Sequence, residues 1–374
     1  MKIVLVGSVD PWTRSVATIQ RYVRWGERLG HDVALFGAPN AELRDLKTTT
    51  ATDDADLVAF VVQVPQDIPG MPYLARMMDR IPREKRVVLD LWGRYNETVR
   101  VDHDFNHLEK FDGHPSWEWM QAMEALGDTI LQPTLHPRRE DVGSFLFHAF
   151  DADAVARPYE TAEEAARSWG AGDGATRPYG LVYVGSNWQR WSQIRQFLEN
   201  YRPVAEKVGQ FCLAGWDWAE RPGWAAEMGM AGIDTDPDLL ADLRVEVRMG
   251  VRFDAVVPLL AQGRFAPIFH RPLFKELGLV TARTFETFLA DTIPVLMLPE
   301  TFVEEIYGSA ALKLVPSEGL ARHFESLLDD PEGAWDAVLK TRKHLAQHHS
   351  FAQRFEELET QATAVRTQQV KAAS

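Results

Sequence analysis

Arg283-Thr-Phe-Glu-Thr-Phe-Leu-Ala-Asp-Thr-Ile-Pro-Val-Leu-Met-Leu298 reads as a helix that runs straight into a buried strand. Phe285, Phe288 and Leu289 recur at helical spacing and form one apolar face. Arg283 and Glu286 fall on or near the opposite face. Pro294 marks the break, and Val295-Leu-Met-Leu298 is short and apolar enough for a core strand or a buried turn of helix. A charged helix feeding a central strand is a common way for an α/β domain to present polar groups to a ligand.

The same grammar extends to both sides. Upstream, Tyr179–Val184, Phe211–Ala214, Val245–Met249 and Phe265–Phe269 read as strands, with helices at Ile194–Tyr201 and Phe253–Gln262 between them. Downstream, a strand is expected at Leu312–Val315 and then helices to the end. The N-terminal half repeats the pattern, with strands at Ile3–Val6, Asp32–Phe36, Leu57–Val62, Val87–Leu91 and Thr129–Leu131. A helix carries Val16, Ile19 and Val23 on one face, and another is expected at Trp117–Leu126. These strands are continuous apolar runs, so both faces are covered, which means parallel sheets. The expected organisation is an N-terminal domain over 1–156, a Gly- and Pro-bearing linker over 157–178 and a second domain over 179–346. A final helix over 347–374 would return to the first domain.

Composition narrows the function. The chain has 374 residues with 40 Lys+Arg against 54 Asp+Glu, a net charge of −14. Such a surface opposes a phosphodiester backbone, so general nucleic-acid binding is not expected, while a local basic pocket for one small phosphate ligand remains open. Cys212 is the single cysteine, which excludes an intrachain disulfide and a cysteine-based metal site. The N-terminus is a strand and not a signal peptide, and no apolar run approaches membrane-spanning length. A cytoplasmic protein is the expectation.

Two βα-repeat halves joined by a linker form the pattern of GT-B glycosyltransferases: two Rossmann-like parallel-sheet domains facing each other across a cleft. The second half resembles the C-terminal domain of group 1 glycosyltransferases, most of all their CgeB-type branch. Tyr183-Val-Gly-Ser186, Phe211-Cys-Leu-Ala-Gly215 and Met249-Gly-Val-Arg-Phe253 resemble its successive strand ends and turns. Arg283-Thr-Phe-Glu286 through Pro294-Val295 resembles its Arg-x-Phe-Glu element. Leu327–Glu332 and His348–Arg354 resemble its closing helices, and Phe147-His-Ala-Phe-Asp151 resembles the exit from the first domain. Two positions depart from the family: Asp291 stands where it has glycine, and Gly278 where it has a first glutamate.

The resemblance implies transfer of a sugar from a nucleotide-diphosphate donor, bound mainly by the C-terminal domain, to a small-molecule or glycan acceptor. No cofactor or metal is expected to be required. It gives Glu286 the donor ribose, whose two adjacent hydroxyls one carboxylate can accept from; an ordinary exposed helix glutamate is the alternative. Arg283 and Thr284 lie near the start of that helix, where a phosphate is favoured. Gly185, Ser186, Trp188 and Arg190 follow a strand and precede a helix, and Arg271 and Lys275 add basic groups on the donor side. On the acceptor side, Asp10, Trp12 and Arg14 follow the first strand, and Asp90 ends another. Val101–His107 with Asp112-Gly-His114 is the densest cluster of titratable groups; from it His103 and Asp104 are the expected catalytic pair, one to take the acceptor's proton. Trp92, Trp117, Trp119, Trp188, Trp191, Trp216 and Trp218 supply ring faces, of which one or two belong at a ligand. Epimerase or hydrolase chemistry on the same fold, or nucleotide-sugar binding without catalysis, are the alternatives. A dinucleotide oxidoreductase is disfavoured because Gly7-Ser-Val-Asp-Pro-Trp12 lacks the Gly-x-Gly-x-x-Gly loop.

Overall fold

The computed structural model describes residues 1–12, 15–43, 45–63, 67–68, 70, 73–96, 116–170, 177–227 and 232–373, the side chains of 116–119 and 363–373 excepted. Seven strands form the first sheet: β1 (Lys2–Val6), β2 (Asp32–Phe36), β3 (Thr48–Thr49), β4 (Leu57–Val62), β5 (Arg86–Asp90), β6 (Thr129–Gln132) and β7 (Val142–Ser144), in the order β3-β2-β1-β4-β5-β6-β7. Every pairing is parallel, with Val4 in register with Ala34 on one side and Val58 on the other. The second sheet has β8 (Tyr179–Val184), β9 (Phe211–Ala214), β10 (Glu246–Arg248), β11 (Gly263–Phe269) and β12 (Ile293–Met297) in the order β10-β9-β8-β11-β12, again all parallel.

The apolar runs mean what their continuity implied. In β1, Ile3 and Leu5 join one hydrophobic cluster while Val4 and Val6 join another on the opposite face. In β8, Leu181 and Tyr183 go one way, and Tyr179, Val182 and Val184 the other. Side chains alternate across a strand, so both faces of both sheets need apolar cover. Two short edge strands, β3 and β7, were not expected, and neither carries an apolar run.

The stretch 283–298 folds as helix Ala282–Leu289 followed by β12. Pro294 is not the break between them. It lies inside β12, in register with Ala266, and β12 is the sheet edge, where a missing N–H costs no ladder bond. The helix end is closed by the buried Arg342, whose Nε donates to Phe288 O at 2.8 Å and whose Nη2 donates to Ala290 O at 2.8 Å. These bonds satisfy carbonyls that a helix terminus leaves orphaned. The strand expected at Leu312–Val315 is absent. Ser309–Leu314 is a 3-10 helix that buries Ala311 and Leu314, so the apolar run is satisfied by a helical turn.

Helix Ala162–Gly170 forms inside the 157–178 segment, and its buried Trp169 donates from Nε1 to Arg264 O at 3.0 Å. Helix Phe351–Ala373 crosses back to the first sheet. Phe351, Phe355 and Leu358 join the cluster that contains Ile3, Val16 and Ile19. Phe355 packs edge-on to Tyr22 and stacks on His31. Gly26 leaves room for it, since a Cβ there would stand 3.3 Å from the Phe355 ring. Phe355→Ala opens a cavity in this seam and is expected to cost about 3–5 kcal/mol in denaturant unfolding, with faster amide exchange along Val16–Arg28.

Candidate functional site

The C-terminal ends of the two sheets face a shared cleft of about 720 Å³. Gly185 and Ser186 follow β8 and line it, and Gly215, Trp216, Gly250 and Val251 follow β9 and β10. Gly215 has φ +149, and a Cβ on it would stand 2.1 Å from Gly185 O and 2.9 Å from Ser186 N. Only glycine permits that approach. Gly185 N donates to Ala214 O, Gly215 N to Arg248 O, and Trp218 Nε1 to Gly185 O at 2.7 Å, which fixes both turns. A Cβ on Gly250 would fall on the Trp216 ring, so Trp216 lies flat over that backbone, still 36% exposed.

Three arginines converge here. Arg190 stands at the N-cap of helix Trp191–Tyr201, and its Nη1 donates to Ser186 O at 2.8 Å. Arg271, buried at the N-cap of helix Pro272–Glu276, lies 4.7 Å from the Trp92 ring centre and 5.2 Å from that of Phe274. Arg94 comes from the first domain and lies 5.8 Å from the same Trp92 ring. The Nε of each is buried without a hydrogen-bond partner, and among the described residues none of the three forms an ion pair. Burial holds the Arg271 pKa well below the ordinary arginine value, and the charges of Arg190 and Arg94 push the same way. Arg94 is also lowered by burial, against the opposing charge of Asp90. The adjacent His270, both ring nitrogens unpartnered, is pushed down to about 3 by burial and by Arg190. An acidic protein thus gathers three arginines at the floor of its cleft, none of them in an ion pair among the described residues.

Glu286 lies beside this group. It is 6% exposed, lines the cleft and accepts from Arg283 Nη1 at 2.7 Å. Its helix begins in a capping box of Thr281 and Thr284. The facing wall comes from the first domain: Trp12, Ser15, Thr18, Gln63, Trp92 and His148.

Of the expected donor residues, Gly185, Ser186, Trp188, Arg190, Arg271, Arg283 and Glu286 all line the cleft, as does Trp12 on the acceptor side. Four others do not. Thr284 is fully buried and spends its Oγ1 accepting from Thr281 N. Lys275 is exposed on a helix whose inward side is Phe274. Asp90 is 0% exposed and accepts from Tyr95 N and Gln132 Nε2, so it orders the turn that carries Trp92 and Arg94. Asp10 accepts from Trp12 N and shapes its own turn. Arg14, His103 and Asp104 lie outside the described residues, as do the side chains of Trp117 and Trp119. Trp188 stacks on Trp224 at 5.5 Å, whereas Trp191 and Trp218 belong to the core. The residues missed were Arg94, Ser15, Thr18, Gln63 and His148. His148 sits in Phe147-His-Ala-Phe-Asp151, which reads as a domain exit, and nothing local marks it as facing a cleft.

The two departures at 278 and 291 have structural causes. Gly278 has φ +59 at the end of helix Pro272–Glu276, a left-handed position that favours glycine. Asp291 accepts from Tyr159 Oη at 2.9 Å and from Arg177 Nη2 at 2.7 Å, which fastens both ends of the 157–178 segment to the second sheet.

No family model and no curated relative matches the sequence. Solved structures do. An alpha-glucosyltransferase in complex with UDP and a 13-mer DNA containing a central A:G mismatch is 12% identical with a TM-score of 0.55, over 97% of this chain and 100% of that one. Its complex with UDP gives 12% and 0.54 over the same shares. A glycosyltransferase from Rickettsia africae ESF-5 is 9% identical with a TM-score of 0.55, over 97% of this chain and 98% of that one. The fold is GT-B. At these identities the likeness is one of fold, and the GT-B cleft between the two sheets is where the arginines and Glu286 meet. Gly215→Ala should push the Gly185–Ser186 turn out of place and lower stability by about 1–3 kcal/mol in denaturant unfolding.

Proposed function

We propose that this chain is a glycosyltransferase that binds a nucleotide-diphosphate sugar, UDP-glucose being the donor held by one of the similar structures, and transfers the sugar to a hydroxyl acceptor in the GT-B cleft. The observation that carries this reading is the group Arg94, Arg190 and Arg271, three guanidiniums with unpartnered Nε atoms and, among the described residues, no ion-pair partner. A buried charge is costly unless paired, so the site is built for an anion that arrives with the ligand. A diphosphate suits it, because planar guanidiniums bind phosphate oxygens bidentately.

The remaining groups follow from that placement. Glu286 accepts from the ribose hydroxyls, with Arg283 fixing its carboxylate. Trp216 over Gly250 offers a ring face to the nucleobase. In the reaction the acceptor oxygen bonds to the anomeric carbon and gives its proton to a base, for which His103 and Asp104 are the candidates, as the bond from that carbon to the diphosphate breaks. The arginines take up the charge that develops on the leaving phosphate. Arg283-x-x-Glu286 entering a buried strand is also the element that supports a resemblance to the CgeB-type branch. The proposed partition of the chain is 1–156, 157–178, 179–346 and 347–374, with the donor on the second domain.

Arg271→Met separates this role from a structural one. UDP affinity should fall about 10- to 100-fold, the worth of a charge-assisted hydrogen bond, while uridine affinity stays within about twofold. The same variant should melt higher than the parent without ligand, because an uncompensated buried cation is gone. Glu286→Ala should instead weaken uridine and UDP alike. Calorimetry with both ligands reads each outcome, and equal losses for UDP and uridine in Arg271→Met would remove Arg271 from the phosphate site.

A further inference from the structure

The wall that faces the arginines has the opposite character. Ser15 occupies the N-cap of helix Val16–Arg28, where a serine hydroxyl ordinarily accepts from the first turn. Here it makes no capping bond. Its Oγ is buried, 3% exposed as a residue, without any partner, and it lines the cleft. One turn on, Thr18 Oγ1 bonds His148 Nδ1 at 2.8 Å, and both residues are buried and line the cleft. Among the described residues no hydrogen bond reaches His148 Nε2. Gln63, at the end of β4, adds an amide, and the rings of Trp12 and Trp92 line the same side.

We propose that Ser15, Thr18, Gln63 and His148 form the acceptor subsite, and that it takes an uncharged polyhydroxyl acceptor, a carbohydrate, rather than a phosphodiester. This rests on the glycosyl-transfer reading and adds the acceptor's chemical class to it. A hydroxyl both donates and accepts, which is what an orphaned serine hydroxyl, an amide and a neutral imidazole require of a ligand. The imidazole stays neutral: burial, with Arg21 nearby, pushes the His148 pKa down to about 3, and Arg21 itself faces Asp151 at 3.6 Å. A phosphodiester would need cations. On this wall the described residues offer only Arg94, whose charge neighbours Arg271 on the donor side, and the whole chain carries −14. Tryptophan rings give a sugar's apolar face a surface to lie on. Thr18 is a positioning residue: by occupying Nδ1 it leaves Nε2 for the acceptor hydroxyl.

The test measures UDP release from UDP-glucose by the full chain, with methyl glycosides and malto-oligosaccharides in one arm and a 13-mer duplex DNA in the other. Saturable acceleration by the neutral glycosides supports the proposal. Acceleration by DNA alone, or by neither while UDP still binds in calorimetry, overturns it. Failure of UDP to bind the parent chain overturns the glycosyl-transfer reading as well, so the two failures are told apart. Ser15→Ala should raise the glycoside KM on the order of tenfold, with UDP affinity unchanged. Its melting temperature should also be unchanged, because the hydroxyl caps nothing. His148→Phe should raise the same KM, and His148→Gln should recover part of it. An unchanged KM in both Ser15→Ala and His148→Phe removes this wall from acceptor binding.

Discussion

Three guanidiniums brought together with no ion-pair partner among the described residues set the terms for the rest of this molecule. Arg190 and Arg271 belong to the second sheet's domain and Arg94 to the first, yet their charges act on one another. Burial and mutual repulsion both oppose such a cluster. It is held because each side chain is fixed by something else. Arg190 is tied to Ser186 O, Arg271 lies against Trp92 and Phe274, and Arg94 follows a turn ordered by the buried Asp90. Those supports reach back into both cores, so the site's electrostatics and the packing of the two domains are one problem.

The domains meet where backbone can approach closely. Trp92 packs with Phe274, Leu277 and Leu279, and a Cβ on Gly93 would stand 2.4 Å from Leu277. Next to this contact Val280 N donates to Pro133 O at 2.6 Å, and across the cleft Phe253 N donates to Pro11 O at 2.9 Å. On the far side the chain crosses between domains near 150–156 and again near 349, where Phe150 N donates to His349 O. Helix Phe351–Ala373 then buries three apolar side chains in the first domain. The cleft therefore lies between walls of contrasting character, one cationic and one largely neutral, joined by a continuous apolar seam.

Asp291 and Gly278 show how a departure from a family pattern can leave the site's floor in place. Each is used to fasten or end a neighbouring segment, and neither lines the cleft. Glu286 is buried and paired with Arg283.

Most of the fold was legible in the chain. Continuous apolar runs such as Leu57–Val62 and Tyr179–Val184 name their own strands, because a strand covered on both faces has no polar alternation to hide it. Arg190 and Arg271 were legible because they follow strand ends, where an open α/β sheet places its ligands, and Glu286 through the resemblance of its Arg-x-Phe-Glu element. The short edge strands β3 and β7 and the turn at Ser309–Leu314 were not, since a few residues carry too little periodicity to separate strand from helix. Nor could sequence separate Asp90, which turns inward to order a loop, from Arg94 four residues later, which faces the cleft. Thr18 and His148 lie 130 residues apart, and Ser15 is further still from His148 along the chain. The sequence by itself determined two parallel-sheet domains and which strand ends carry charge, because those are properties of local pattern. Only the tertiary structure decided which charges lose their partners and which hydroxyls face a ligand, because burial is set by the segments that pack across the cleft and not by neighbours along the chain.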